Sequence, residues 1–252
     1  MRTRFSFTDT LVGILMFLAL WQALAWIIDR SILPCPHEVL PLFFRLMPGE
    51  LGVHTLASAG RVLAAIALAA VTAAPVGLAL GQMRRLDRIF NPLIAIVYPI
   101  PKIVLLPVIY VLMGITNFSK VFLIAIILFF QILVVVRDEA AQLRPELILS
   151  VRSLGAGRRA LFRYVYVPAS LPATLTALRV TTGTAIAVLF IAEQSLTRYG
   201  LGYYIVVETY QVLRYREMYA GILAMSLLGL VLYTALDWLE RRTNRHLFLG
   251  NG

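Results

Sequence analysis

The chain has 252 residues, of which 60% are hydrophobic and only 14% are charged, and its mean hydropathy is +0.83. This balance excludes an ordinary soluble domain and predicts a polytopic membrane protein. The formal net charge of +10 comes from arginines that fall between apolar runs rather than along an aromatic-interleaved stripe, which argues against nucleic-acid binding.

About six apolar runs reach the length of roughly 20 residues that a membrane span requires. They cover residues 11–28, 56–81, 89–114, 119–136, 171–194 and 218–239. We therefore predict an all-α fold with about six transmembrane helices, forming a single transmembrane domain over residues 1–252. The lone Cys35 excludes an internal disulfide, and three scattered histidines give no visible metal cluster.

Arginines cluster beside alternate ends of these runs. They are Arg2 and Arg4 before the first run; Arg84, Arg85 and Arg88 after the second; Arg137, Arg144, Arg152, Arg158, Arg159 and Arg163 after the fourth; and Arg241, Arg242 and Arg245 after the sixth. Short cytoplasmic loops carry an excess of Lys and Arg. The pattern therefore predicts that both termini and the loop 137–170 are cytoplasmic.

The third run, NPLIAIVYPIPKIVLLPVIYVLMG, contains four prolines: Pro92, Pro99, Pro101 and Pro107. Each proline removes a backbone donor and disfavours helix in the residue before it, so we predict a broken helix. Broken backbone at membrane depth is tolerated where it lines a water-filled cavity, which makes this segment a candidate wall of a translocation pathway. Lys102 follows the break, and it either lines a path for an anionic solute, snorkels, or contacts a backbone carbonyl.

Other polar residues lie in or near the apolar runs. Gln131, Arg179, Glu193 and Gln194 are expected to pack inside the helix bundle, where they find polar partners. Arg61 lies near the end of the second run and is expected to snorkel. The candidate pathway residues are Pro99, Pro101, Lys102 and Glu193.

The longest predicted cytoplasmic loop contains the stretch PELILSVRSLGAGRRALFRYVYVPASLP. Pro145 suits a first helical position, and Gly155 suits a left-handed residue that ends the helix. Between them an apolar stripe recurs at helical spacing, formed by Leu147, Ile148, Val151 and Leu154. Pro168 and Pro172 are expected to break the chain before the fifth span. Such a short amphipathic helix either fills a groove on a partner protein or only stabilises the loop at the membrane surface.

The spacing in LSVRSLGAGRRALFRYVYVPASLP resembles the signature of bacterial binding-protein-dependent ABC transporter permeases: E-A-A, three residues, Gly, nine residues, Ile, any residue, Leu-Pro. The signature glycine falls on Gly155, and Ile-x-Leu-Pro falls on Val165, Tyr166, Val167 and Pro168. The E-A-A positions hold Leu149, Ser150 and Val151, which depart from the pattern.

Three further segments resemble the nitrate/sulfonate/taurine branch of these permeases, which also includes bicarbonate and pyrimidine-precursor or vitamin importers. They are RVLAAIALAAVTAAPVGLALG, NPLIAIVYPIPKIVLLPVIYVLMGITNFSKVFLIAI and AEQSLTRYGLGYYI. The resemblance covers roughly residues 53–240, whereas the first span is similar only in being apolar.

The resemblance implies the type I ABC importer permease fold in the bacterial inner membrane. It implies a permease, not itself an enzyme, that translocates a sulfonate, taurine, nitrate or bicarbonate anion, or a pyrimidine or vitamin precursor. ATP and Mg²⁺ would bind a cytoplasmic ABC ATPase dimer. The other implied partners are a second permease copy, giving a homodimer, a periplasmic or lipid-anchored solute-binding protein, and the lipid bilayer.

By the same resemblance, the loop helix is a coupling helix that inserts into a cleft of the ATPase. The implied docking residues are Pro145, Glu146, Leu147, Ile148, Val151, Leu154, Gly155 and Pro168. The segment RYGLGYY, residues 198–204, is implied to contact the solute-binding protein. An ion-coupled secondary transporter would also use broken helices and buried charges, but no inverted pair of broken spans favours that alternative.

Overall fold

The computed structural model describes residues 7–28, 30–194 and 197–243. Its helices are α1 (Phe7–Ile28), α2 (Pro36–Leu46), α3 (Glu50–Gln82), α4 (Arg84–Val97), α5 (Leu106–Met113), α6 (Asn117–Ala141), α7 (Pro145–Ser153), α8 (Arg158–Leu161), α9 (Val167–Glu193), α10 (Leu201–Tyr203) and α11 (Tyr215–Thr243). A 3₁₀ turn covers Lys102–Leu105, and π-helical segments cover Phe162–Tyr166 and Tyr204–Tyr210. The all-α prediction is confirmed, since the described ranges contain no strand.

The membrane-spanning elements match the predicted number of about six. Within the described ranges, five helices are long and apolar enough to span: Leu11–Ile28, Glu50–Gln82, Asn117–Ala141, Arg159–Glu193 and Tyr215–Thr243. Helix α4 and the segment Lys102–Met113 pass the same test together, and they make a sixth candidate that is bent by 81° at the break. Arg2, Arg4 and Arg245 lie outside the described residues, and the cytoplasmic placement of both termini stays a prediction.

The break in the third span is confirmed, and prolines explain where it falls. The α-helical path stops after α4 and resumes at α5, so the break contains Pro99 and Pro101. Pro92 remains inside α4, and Pro107 occupies the first turn of α5, where a missing N–H costs little.

The predicted break before the fifth span is wrong. Pro168 lies in the first turn of α9, and Pro172 lies inside that helix. A continuous helical path from Arg159 to Glu193 is therefore preserved, and it includes a π-helical segment at residues 162–166. Both neighbouring helices extend into the predicted loop 137–170, because α6 continues to Ala141 and α9 begins at Val167.

The core of the bundle is the close packing of α3 against α6. Small buried residues recur at every fourth position of α3 and end at Gly81: Ala65, Ala69, Ala73 and Gly77. A Cβ on Gly77 would lie 2.8 Å from the carbonyl oxygen of Leu133. Such spacing lets helix backbones approach in a membrane, where dispersion contacts replace the hydrophobic effect. The other long helices, α9 and α11, pack around this pair.

We expect Gly81→Ala to destabilise the protein by about 1–3 kcal/mol, because a Cβ there overpacks the α3–α6 contact. That Cβ would lie 2.7 Å from the Cβ of Ala140 and 3.0 Å from the amide nitrogen of Ala141. The check is the unfolding midpoint of the purified protein in lipid nanodiscs. Gly60→Ala on the same helix is the matched control, because nothing lies within 4 Å of its added Cβ. Equal midpoints for the two variants would contradict the close approach.

Candidate functional site

A buried ion pair joins α3 to α9 at the distal end of the bundle, which we define as the end opposite α7. The Arg61 Nη1 group pairs with Glu193 Oε1, and the Glu193 side chain is 0% exposed. Ser58 Oγ donates to Glu193 Oε2 at 2.7 Å, and the Gly202 amide donates to the same oxygen at 3.2 Å. Arg61 Nε also donates to Asn117 Oδ1 at 2.9 Å. The prediction that Arg61 snorkels is wrong, because a buried carboxylate on another helix neutralises its charge.

The loop after α9 is folded onto one face of α3 by the same residues. His54, Ser58 and Arg61 lie four and three residues apart, which places them on one helix face. The Leu201 amide donates to Ser58 Oγ at 2.8 Å, and Arg61 Nη1 donates to the Tyr199 carbonyl at 2.7 Å. The short helix α10 lies inside the segment RYGLGYY, and these hydrogen bonds hold its start against α3.

His54 is the centre of a second polar group at the distal end. Its Nδ1 lies 3.1 Å from both backbone polar atoms of Gly200, and its Nε2 lies 3.1 Å from Glu208 Oε2. Burial raises the pKa of the Glu208 carboxyl above its ordinary value; the His54 charge opposes this rise and the Glu50 charge adds to it.

Glu50, His54 and Glu208 could together hold a metal ion, since their ligand atoms all lie within 4.8 Å of one another. The sequence did not indicate this group, because Glu208 is remote in sequence from Glu50 and His54 on α3. The contact between the His54 imidazole and the Glu208 carboxylate can be explained as a direct pair, without a metal ion between them.

A further charged cluster joins α9 to α11. Arg179 Nε donates to Glu240 Oε2 at 2.6 Å, and its Nη1 donates to the Tyr233 hydroxyl at 2.9 Å. Thr176 donates to the second Glu240 oxygen at 2.7 Å. Arg179 and Glu193 therefore both pack inside the bundle with polar partners, as predicted.

Lys102 lies at the break in the third span and donates to backbone carbonyls. Its Nζ lies 3.0 Å from the carbonyl oxygens of Val97 and Tyr98, and 3.3 Å from that of Ile100. The ammonium group also sits 4.5 Å from the centre of the Phe130 ring. Of the three readings, the carbonyl contact is confirmed, because Lys102 donates to carbonyl oxygens at and just beyond the end of α4.

The candidate pathway residues do not form one group. Pro99, Pro101 and Lys102 line a cavity of about 330 Å³, together with Gln131. Gln131 Oε1 is buried and has no hydrogen-bond partner among the described residues. Glu193 lies apart, in the distal ion pair. A role of these residues in translocation stays a prediction.

The candidate docking helix α7 begins at Pro145 and ends before the left-handed Gly155, whose φ is +83°. Ile148 and Val151 are half-buried, whereas Leu149 is 61% exposed and Leu154 is 86% exposed. Within the predicted apolar stripe, Ile148 and Val151 are therefore partly covered by the rest of the chain, whereas Leu154 is exposed. Glu146 is exposed, and Pro168 lies beyond α7 in the first turn of α9. The side chains of Pro145 and Leu147 lie outside the described part of the structure.

Sequence reasoning missed Lys120, His54 and Ser58. Lys120 is almost entirely buried in the first turns of α6, beside a cavity at the distal end. Its signal was a lysine at the second position of the apolar run 119–136, in a sequence with only two lysines. For His54 and Ser58 the signal was their helical spacing to Arg61.

Comparison with known proteins identifies the family. Residues 55–245 match the family described as the binding-protein-dependent transport system inner membrane component. A putative ABC transporter permease of Methanocaldococcus jannaschii is 31% identical over 88% of this chain and 85% of its own length. The taurine transport system permease protein TauC of Escherichia coli is 28% identical over 90% of this chain and 85% of its own length.

The fold has solved counterparts as well. An inward-facing structure of the MetNI methionine ABC transporter superposes with a TM-score of 0.63 at 19% identity, covering 77% of this chain and 96% of that one. This likeness confirms the type I importer permease fold. The family decides against the ion-coupled alternative and places the chain in the inner membrane as a multi-pass protein. The chain belongs to the binding-protein-dependent transport system inner membrane components and is a transmembrane permease subunit of an ABC importer.

Proposed function

We propose that α7 is the coupling helix through which a cytoplasmic ABC ATPase dimer drives this permease. The observation that carries the proposal is the exposure of two large apolar side chains, Leu149 and Leu154, on and beside a nine-residue helix. Amphipathic helices use such side chains to fill apolar grooves on partner proteins. Leu149 stands at the first E-A-A position, so an apolar contact replaces the usual polar one there.

The ATPase would supply the energy, because ATP and Mg²⁺ bind to it and not to this chain. Closure of the ATPase dimer would move α7 as a rigid lever. The π-helical segment Phe162–Tyr166 links that lever to α9, so a movement of α7 is passed directly to a membrane-spanning helix. The membrane domain would alternate between inward-facing and outward-facing states as a result.

Two copies of this chain would form the membrane domain, and a periplasmic or lipid-anchored solute-binding protein would deliver the solute to its distal end. The dependence on a binding protein is supported by the family description. Arg198 and Tyr199 are exposed at that end, while Gly200 and Leu201 hold the loop against α3. The exposed part of RYGLGYY is thus a candidate contact for the binding protein.

The solute would be a small anion such as a sulfonate, taurine, nitrate or bicarbonate, or a pyrimidine or vitamin precursor. Support comes from the relatives, which include the taurine permease TauC and the aliphatic sulfonates permease SsuC of Escherichia coli. Pro99, Pro101 and Lys102 would line the path, since they border a cavity at the broken span.

Leu154→Asp is expected to abolish co-purification with the ATPase and reduce coupled uptake at least about tenfold, because a charge would enter an apolar cleft without a partner. The variant should still fold, since Leu154 is 86% exposed. The measurement is the ATPase:permease ratio after affinity purification from membranes.

Leu213→Asp is the matched control, because Leu213 is another exposed leucine that lies in the loop before α11 rather than beside α7. It should bind the ATPase as the parent does. If Leu154→Asp co-purifies with the ATPase as well as Leu213→Asp does, α7 is not the coupling helix.

A further inference from the structure

A cavity of about 600 Å³ lies at the distal end, between the turn that precedes α6 and the loop that follows α9. Its lining residues are Ile115, Thr116, Asn117, Lys120, Thr197 and Arg198. The cavity is large enough for a small organic solute. Its lining is mainly polar, in contrast to the apolar surface of the spans.

Lys120 brings a buried cation to this cavity. The residue is 1% exposed and is one of the residues that line the cavity. Its Nζ donates to the Thr116 carbonyl over a long 3.4 Å and lies 5.6 Å from the centre of the Tyr110 ring. Within the described ranges, no carboxylate forms an ion pair with Lys120. At least part of its hydrogen-bonding capacity is therefore available to a ligand.

The charges around the cavity do not balance. Lys120 and Arg198 supply two positive groups to the lining. Arg61 contacts the lining residue Asn117, but Glu193 neutralises its charge. The nearby Glu193 is already occupied by Arg61, Ser58 and Gly202. The positive end of the α6 dipole lies at the same place, because α6 begins at Asn117.

A lysine in the first turns of a helix is electrostatically unfavourable, and burying it without a counter-ion adds to the cost. An anion that enters the cavity would relieve both effects. Helix N-termini and lysines together are also the usual donors for oxyanions in proteins. By contrast, Lys102 donates to three carbonyls and is satisfied by the protein itself.

We propose that the Lys120 cavity is an oxyanion subsite at the distal mouth, which holds the carboxylate or sulfonate group of the incoming solute between Lys120, Arg198 and the N-terminus of α6. This inference rests on the importer function proposed above and narrows its solute class to oxyanions. It also assigns the cation that binds the solute to Lys120, and leaves Lys102 as a residue that lines the path.

The test measures which charge the cavity prefers, on the purified full-length chain in lipid nanodiscs. In a Cys35→Ser background, Ile115→Cys places one thiol in the cavity lining; Ile115 is 48% exposed and carries none of the proposed contacts. The thiol is modified with a sulfonatoethyl methanethiosulfonate and, separately, with its trimethylammonioethyl analogue. The readout is the ratio of the anionic to the cationic modification rate.

We expect Lys120→Met to lower this ratio about tenfold, because loss of a nearby charge acts oppositely on the two reagents. Lys120→Arg should keep the ratio within about twofold of the parent, since it retains the charge. Lys102→Met is the matched control, because this lysine lines a different cavity. A ratio for Lys120→Met equal to that of the parent overturns the proposal, whether or not the individual rates change.

A second arm identifies the ligand. Ethanesulfonate should slow thiol modification in the parent more than sodium chloride does at equal ionic strength, and this difference should disappear in Lys120→Met. No difference in the parent overturns the assignment to a free oxyanion. Neither arm contains ATPase or binding protein, so the cavity test and the coupling-helix test can fail independently. For the same reason, a carboxylate from a docking protein cannot cause the slower thiol modification.

Discussion

Arg61→Met is expected to lower the free energy of unfolding by about 3–5 kcal/mol, the cost of leaving a buried carboxylate without its counter-charge. Glu193 has no exposed surface, so water cannot replace the guanidinium. The Ser58 hydroxyl and the Gly202 amide would still donate to the carboxylate, but they supply no charge. The measurement is the unfolding transition of the purified chain in nanodiscs of fixed lipid composition.

Two controls test whether the loss of stability comes from the unpaired buried charge. Glu193→Gln combined with Arg61→Met should recover a large part of the loss, because both charges are then removed together. Arg216→Met breaks a surface pair, Arg216 with Glu38 at 2.9 Å, in which the arginine is 62% exposed. We expect a change of at most about 1 kcal/mol there. Similar losses in the free energy of unfolding for Arg61→Met and Arg216→Met would contradict the prediction, because the distal pair would then contribute no more than a surface pair.

Gly200→Ala is expected to destabilise the protein by several kcal/mol and to detach the loop after α9 from α3. Gly200 has φ +136° and ψ 152°, a region that is essentially restricted to glycine, and the backbone strain alone costs about 1–3 kcal/mol. A Cβ there would also lie 2.6 Å from Arg61 Nη1 and 2.6 Å from Glu193 Oε1. The added methyl group would therefore push the ion pair apart.

Hydrogen exchange of residues 197–210 measures the detachment, and the unfolding midpoint measures the loss of stability. Gly157→Ala is the control, because its added Cβ meets nothing within 4 Å and its backbone is not left-handed. Equal exchange rates and midpoints for the two variants would contradict an anchoring role for Gly200. Loss of the anchor would also move Arg198, which lines the cavity beside Lys120.

The sequence by itself determined the features that depend on local chemistry. Apolar runs predicted the spans, because a helix must carry about 20 apolar residues to cross the bilayer. Prolines located the break at residues 98–101, and Gly155 located the end of α7, because both residue types restrict or permit particular backbone angles. The motif around Gly155 also indicated the family.

Which polar groups meet could not be predicted, because it depends on how the helices pack. Arg61 and Glu193 are 132 residues apart in sequence, and no local pattern pairs them. Lys102 and Lys120 look alike in the sequence, yet Lys102 donates to three carbonyl oxygens whereas Lys120 donates to one over a long 3.4 Å. The reason is physical: helix formation and membrane insertion depend on neighbouring residues, whereas the partner of a buried charge depends on which helices pack together.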